Sequence, residues 1–403
     1  MYLRDLKLFV IHFIILLSVL SCNNKITSNS ITVTNNSDLI RDSESLEIWV
    51  DQLSGILPED INKIVLLDNL GNQMRIQWVD INSDSIQDYL LFQTNFEPHE
   101  TKHFSLIIDN DSIKENTSTR KTYCRIVPER FDDFAWENDK VAFRTYGPKC
   151  QQLFEEGNPV GLISSGIDCW LKSVDYPIID KWYANDEKGI SYHIDHGEGL
   201  DNYHVGASRG CGGTALVYNG KIILSENFST WKVLANGPIR SIFELNYDAI
   251  KVGNIGVLEK KRITLDLGTN FYHCTVSYMA SEILDTASIG LALHNKKGEI
   301  NSSIEGGWAS YWEPIDDSYL GTAIIVDSKQ ILGIGVKDSD IEQKSDSNIW
   351  INLKLDKNSF SYWSGFGWEK RRKINSSYEW ENYLKKESIK KRYPIEVKIT
   401  RVY

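Results

Sequence analysis

Thirteen residues, Tyr192 to His204, hold three of the chain's eight histidines together with Asp195, Glu198, Asp201, Tyr203 and the glycines Gly197 and Gly199. Arg209 follows in the same turn-rich segment, ahead of Gly210, Cys211, Gly212 and Gly213. A loop that only joined strands would be satisfied with Gly, Asn, Asp and Ser. Imidazoles, carboxylates, phenols and a guanidinium gathered there point instead to a polar site with acid/base or ligand-holding capacity. Read as an extended strand, the segment would put His193 and Asp195 on one face and Tyr192 and His196 on the other. Gly197 and Gly199 argue against a continuous strand, so the sequence leaves open which side chains converge.

Neighbouring strings have a similar character. Ser164 to Trp170, Tyr176 to Tyr183, Ser225 to Lys232 and Ala309 to Pro314 each mix aromatic bodies with charged or polar tips. Trp182, Trp231 and Trp312 read equally as core residues and as platforms for the C–H faces of sugars. Asp168 and Lys181 read as ion-pair partners of the fold unless they line the same cleft as the histidines. The glycines at 210, 212 and 213 fit turns, since neither the P-loop nor the dinucleotide spacing is present. Cys124, Cys150, Cys169, Cys211 and Cys274 are irregularly spaced and contain no CxxC pair, so buried thiols are expected rather than a disulfide framework or a thiolate zinc site.

The elements that must position these residues read as strands. Leu46 to Val50, Gln73 to Val79, Tyr89 to Phe92 and His103 to Ile108 are β-forming runs between Asn, Asp and Gly turns. They predict a small β domain within residues 22–120, its strands lying between about Ser30 and Asn116. The polar stretch Asp109 to Lys121 reads as its connector. Strand signals resume in Ile222 to Leu224, Ile239 to Tyr247, Arg262 to Leu267, Phe271 to Tyr278 and Ile395 to Ile399. Long periodic helices are missing, with a short one expected near Ser377 to Lys386. The fold class is therefore mainly β: a small N-terminal β domain followed, over 121–403, by a large two-sheet β-sandwich of the supersandwich kind.

The turn Asp80-Ile81-Asn82-Ser83-Asp84-Ser85-Ile86-Gln87-Asp88 spaces the oxygen side chains of Asp80, Asn82, Asp84 and Asp88 as a calcium loop does. Ser85 stands where such loops carry glycine, and no carboxylate closes the loop. The two readings are a structural calcium ion and a metal-free Asx turn. No cofactor is expected in the chemistry itself.

The first residues carry Arg4 and Lys7, then an apolar run from Leu8 to Leu20 that is too short to span a bilayer. Ser21-Cys22 after it reads as a lipobox, making residues 1–21 a lipoprotein signal peptide and Cys22 the lipidated residue. The expected location is the outer membrane, facing the periplasm, with the cell surface as the alternative and the membrane as a partner through the lipid. A net charge of −11 excludes nucleic acid as a partner, because phosphate binding needs a basic face. Twelve Trp and 19 Tyr in an exported chain suit carbohydrate.

Five longer strings carry a family resemblance: Phe131 to Asn138 with Ala142 to Gly147, Tyr176 to Tyr183, His193 to Gly213, Trp231 to Arg240 and Tyr311 to Pro314. From about Trp49 to the C-terminus the chain resembles a family of Bacteroidota polysaccharide-utilisation lipoproteins, long catalogued as a domain of unknown function. Within it, the chain looks like the oligosaccharide dehydratase of ulvan breakdown. The resemblance implies an anionic uronate-containing oligosaccharide as substrate. The reaction would eliminate water from its non-reducing-end glucuronate or iduronate.

Such an elimination needs a base for the proton α to the carboxylate, a cation for the carboxylate and an acid for the departing hydroxyl. His196, His193 and Tyr192 are the candidate bases, worth roughly a hundred- to ten-thousand-fold. Arg209 and Arg144 are the candidate carboxylate clamps. Tyr192, Tyr203 or another histidine could supply the acid. Asp195, Glu198 and Asp201 could orient imidazoles or bond sugar hydroxyls, and Lys181, Trp182, His204, Trp231, Trp312 and Glu313 complete the expected substrate-binding set. Two rival readings are a metal-dependent hydrolase using His193, His196 and His204, although no HExxH spacing is present, and a non-catalytic glycan-binding lipoprotein.

Overall fold

The computed structural model describes residues 28–109, 118–337 and 347–402; the signal segment, Cys22 and part of the polar connector lie outside the described residues. Strands make up 49% and helices 14% of the chain, so the mainly β reading holds. Each β-forming run named from the sequence lies in or overlaps a strand.

Two small antiparallel sheets face each other at the N-terminal end. One orders Glu396–Val402, Ser28–Thr34, Thr101–Ile108 and Ile64–Asp68, and the other orders Arg41–Trp49, Tyr89–Phe96 and Ile76–Val79. Alternation sends Ile31, Val33, Leu46, Ile48, Phe92 and Phe104 into one shared core. The C-terminal strand departs from the expected partition. Sequence order assigns it to the 121–403 sandwich, yet Val397 pairs with Val33 and Ile399 with Ile31. Ile395, Val397 and Ile399 pack on the small core from a strand that closes its open edge. Sequence order does not reveal which sheet has an edge to fill.

The loop at Asp80 joins two of these strands and turns its oxygens inward. Asp80 accepts from the amides of Ser83, Asp84 and Ser85, Asp84 from Ile86, and Asp88 from Ile81 at 2.7 Å. These are Asx-turn hydrogen bonds, with Ser83 and Ser85 in the left-handed region.

The rest of the chain is layered on a nine-stranded antiparallel sheet running from Phe228–Asn236 through Arg240–Tyr247, Ile255–Asp266, Phe271–Met279, Ser359–Trp368, Ser318–Val326 and Trp308–Ile315 to Glu299–Ser303, with the short Ile250–Val252 paired to Ile255–Asp266 as the ninth. Two five-stranded sheets cover its inner side. One is built on Cys211–Tyr218, Thr286–Ala292 and Asn348–Lys354; the other on Tyr123–Val127, Asp133–Glu137, Ala142–Thr145, Asp168–Lys172 and Gly199–Leu200. Aromatic contacts lock the second sheet in place, with Phe134 stacked on Phe243 at 4.2 Å and Phe143 edge-on to Tyr272 and Phe366.

Outside the large sheet, the helix Ser377–Arg392 begins at a Ser376 cap that accepts from the Glu379 amide. It buries Trp380, Leu384, Glu387 and Ser388, one face at helical spacing. The small domain docks beside it through Gln77. Its buried side chain accepts from the amides of Ile239 and Arg240 and donates to the Arg240 carbonyl, so these backbone groups are met at the domain contact.

Candidate active site

Strand alternation in the second five-stranded sheet sorts its side chains onto two faces. Phe134, Trp136, Phe143, Cys169 and Leu171 point into the main core, while Ala135, Ala142 and Trp170 meet Ile179, Trp182, Tyr183 and Tyr192 on the other face. Asp133, Arg144 and Asp168 stand on this second face, Arg144 opposite both Ala135 and Asp168 in the register.

The helix Ile179–Asp186 covers that face. Glu137 fixes its start by accepting from the amides of Ile178 and Ile179 while bonding Lys172 Nζ at 2.7 Å, all inside the protein. A carboxylate is well placed there, since a helix start carries unpaired N–H groups and partial positive charge. This helix lies in the Tyr176 to Tyr183 run, where the sequence pattern suggested site residues but no helix.

The histidine segment closes over the same face as an excursion from Tyr192 to Asp201. The Asp201 amide donates to the Tyr192 carbonyl at 2.9 Å. Asp195 accepts from the amides of Gly197 and Gly199. Glycine is required at 199: its φ is +112°, and a Cβ would sit 1.9 Å from the Leu171 carbonyl oxygen. Gly210 plays the same part at the far end against Ile167. Gly199 thus holds the excursion against the strand Asp168–Lys172, and Gly210 holds the following segment against Ile167 just before that strand.

Inside this cover lies a buried charge cluster. Arg144 Nη2 bonds Asp168 at 2.6 Å and Asp201 at 3.2 Å, and Arg144 Nε lies 3.8 Å from Asp133. Its guanidinium also sits over the rings of Tyr146, Trp170 and Tyr192. Burial pushes the Asp133 carboxyl up to about 7 against the pull of Arg144, the Gly147 amide and Arg130. Burial likewise raises Asp168, with the Asp201 charge adding to it, and raises Asp201 against Arg144 and Arg130. One guanidinium among three carboxyls leaves the cluster ready to hold a proton near neutral pH. Arg144 is therefore an internal counter-ion, with its charge already answered, and not an open clamp for a substrate carboxylate.

His193 sits where this cluster meets solvent. Its Nδ1 lies 2.6 Å from the Asp201 carbonyl oxygen, which can only accept, so Nδ1 carries the proton and Nε2 presents its lone pair. The side chain is 55% exposed, and its ring rests against Tyr192 at 4.5 Å. The Tyr192 hydroxyl oxygen accepts from Arg130 Nε at 3.2 Å and from Arg144 Nη1 at 3.3 Å. Arg130 was missed by the sequence reading. It lies far from the histidines in the chain, just after Glu129 in a short 3-10 turn, and only the fold brings it to Tyr192. Among the described residues its fork has no ion-pair partner, unlike that of Arg144.

The other expected residues scatter. His196 is exposed and turns Nε2 toward the Ser191 carbonyl at 3.2 Å. Glu198 gathers Lys181 at 2.6 Å, the Tyr176 hydroxyl and Trp182 Nε1 at 3.3 Å, so Lys181 is an ion-pair partner as the alternative reading had it. Trp182 stacks on Trp170 in the interior and is no platform. Trp312 is buried against Trp380 and its neighbours, and Trp231 lies 40% exposed on the edge strand Phe228–Asn236. Arg209 is buried, bonded to Ser165 and packed over Gly290. Tyr203 is buried edge-on to His294, whose Nδ1 bonds Glu313 and whose Nε2 bonds the backbone oxygen of His204. Among the described residues no three His, Cys, Asp or Glu side chains are grouped to hold a metal ion, and His193, His196 and His204 do not converge. The depression beneath the loop, bounded by Trp182, Tyr192, His196 and Glu198, is shallow, with about 20 Å³ of space.

The family described as a domain of unknown function, DUF4861, matches residues 33–397. The uncharacterized protein P7 of Formosa agariphila is 40% identical over 372 residues, covering 92% of this chain and 93% of the relative. An α-mannosidase from Enterococcus faecalis has a similar fold at TM-score 0.51 and 10% identity, over 93% of this chain and 46% of that one. A glycosyl hydrolase family 38 protein from Enterococcus faecalis gives 0.50 at 8% identity, over 93% and 47%. The chain thus spans about half the length of these solved structures, and at such identities the likeness concerns the fold alone.

Proposed function

The chain belongs to the DUF4861 family, and from that premise we propose that it is a carbohydrate-active enzyme working by acid and base catalysis at the His193 loop. The reaction is elimination of water from the non-reducing-end uronic acid of an ulvan-type oligosaccharide, leaving an unsaturated uronate. The fold shared with glycosidase structures supports a sugar substrate, and the resemblance of the His193 to Gly213 run supports the elimination. An exported, lipid-anchored protein at Cys22 would meet such fragments in the periplasm.

The observation that carries this reading is the fixed tautomer of His193 beside a phenol held between two guanidiniums. His193 Nε2 takes the proton α to the uronate carboxylate, and the electron pair released spreads into the carboxylate. The fork of Arg130 meets that growing charge. As the double bond forms, the β-hydroxyl leaves with a proton from the Tyr192 hydroxyl, whose own developing charge falls between Arg130 and Arg144. Water departs, and exchange with solvent returns both groups to their starting protonation.

Incubation with uronate-terminated ulvan oligosaccharides tests this: the product should weigh one water less and absorb in the ultraviolet. No water loss from any glucuronate- or iduronate-terminated oligosaccharide overturns it. The shallowness of the depression favours a second reading, a glycan-binding lipoprotein without catalysis. Glycan affinity with no turnover in the parent protein would select that reading.

A further inference from the structure

A cleft of about 650 Å³ lies away from the histidine loop. Its floor is the outer face of the nine-stranded sheet, where Thr264, His273, Thr275 and Trp363 stand, and its walls are the strand Arg41–Trp49 and the helix Ser377–Arg392. Cavities of this size commonly take a small molecule.

Charge distinguishes the cleft from the rest of an acidic chain. Of its six cationic side chains, four are already matched: Arg41 by Glu44, Arg240 by Asp266 and Glu47, Arg262 by Glu244, and Lys390 by Glu387. Lys140 and Lys391 make no ion pair among the described residues. Lys391 Nζ instead hangs 5.4 Å over the Trp363 ring. Among the described residues, the exposed Asp42 is the one lining carboxylate outside these pairs.

His273 adds polar capacity without charge. Its ring lies 4.7 Å from the Trp363 ring, and neither nitrogen has a hydrogen-bond partner among the described residues. Burial, then the charges of Lys391 and Arg240, holds its imidazole down to about 4, against the pull of Asp266. Near neutral pH it offers one donor and one acceptor.

We infer that this cleft is a second binding site, separate from the His193 loop, for a sugar unit bearing a carboxylate or sulfate. Lys391 and Lys140 supply charge to the anion, and His273 with the threonine hydroxyls supplies hydrogen bonds to the ring. The anionic character stands on the cleft itself; the choice of a sugar over other anions rests on the proposed function.

Calorimetric titration with methyl glucuronide, glucose sulfate and neutral methyl glucoside tests the inference, using the parent protein, Lys391→Gln, Lys391→Arg and His193→Ala. Thermal melts check that each variant folds. The expected result is binding of an anionic probe in preference to methyl glucoside. Loss of one charge-assisted hydrogen bond should weaken that binding about tenfold in Lys391→Gln. Lys391→Arg and His193→Ala should stay close to the parent. No binding of either anionic probe, equal binding of methyl glucoside, or unchanged affinity in folded Lys391→Gln overturns the inference. Affinity lost in His193→Ala but kept in Lys391→Gln also overturns it, while leaving the proposed function standing. Binding at the cleft without any dehydrated product defeats the proposed function alone.

Discussion

His193 Nδ1 and the Asp201 carbonyl oxygen lie 2.6 Å apart, so the contact that closes the loop also decides which imidazole nitrogen is free to accept a proton. The backbone bond from the Asp201 amide to the Tyr192 carbonyl fixes the neighbouring position in the same way. If this nitrogen is the base, His193→Ala should lower the dehydration rate by about a hundred- to ten-thousand-fold. The side chain is largely outside the core, so the melting temperature should stay near that of the parent. Rate and melting curve together decide: a rate within a few-fold of the parent in a folded variant moves the base elsewhere.

The buried carboxyls predict a pH dependence of stability whose sign can be worked out. Asp133 titrates at about 7 in the folded protein because burial disfavours its charge, whereas the unfolded chain gives it an ordinary value of about 4. Between those values the folded state binds more protons, so this group's contribution to stability falls as pH rises and levels off above about 7. Asp133→Asn keeps an acceptor for the Gly147 amide and removes the titration. Relative to the parent, its melting temperature should therefore improve from about pH 5 to pH 8. A constant difference across that range would show that Asp133 does not carry this shift.

The sequence made the local pattern legible and left the long-range pairing hidden. Alternation in Ile239 to Tyr247 and Phe271 to Tyr278 was enough to find central strands, because burial on one face leaves a period of two. Clustering was enough to find the loop at His193. Arg130 and Asp133 lie some sixty residues upstream of it and carry no mark beyond their residue types, so only the fold shows that they share its site. Arg144 misled for the same reason: an arginine reads as an open fork until Asp168 and Asp201 are seen around it. Ile395 to Ile399 was recognised as a strand, but its partner at Ser28–Thr34 is set by an open sheet edge.

The Asp80 loop supports two opposed forecasts. Ligand spacing proposes calcium, whereas the inward-turned carboxylates close the loop on its own amides. On the second account, Asp80→Ala frees partly solvated N–H groups and costs about 1 kcal/mol, to the same extent in excess calcium and in chelator. Urea denaturation in both buffers measures it. A loss confined to the calcium buffer would give the ion its place in the loop, through the stabilisation that any ligand of the native state confers.

Glu313 was expected to touch substrate, but it holds the histidine segment from below. Its carboxylate bonds His294 Nδ1 at 2.8 and 2.9 Å, while His294 Nε2 reaches the His204 carbonyl oxygen at 2.7 Å. The His204 carbonyl can only accept, so Nε2 carries a proton, and the Glu313 carboxylate favours a second proton on Nδ1. Burial opposes that charge, but the Glu313 hydrogen bond and charge outweigh it and raise the imidazole above its ordinary value. A raised histidine stabilises the fold fully below its unfolded value of about 6.5, and the benefit fades as pH rises through the folded value. Glu313→Gln leaves a mostly buried cation without its counter-charge, so it should cost about 3 kcal/mol in the acidic range. The difference from the parent should narrow at alkaline pH, where both proteins hold a neutral ring. Urea denaturation on either side of neutrality measures this. A loss that does not vary with pH would mean that Glu313 acts through packing and neutral hydrogen bonds, with no ion pair tying His204 to the strand Trp308–Ile315.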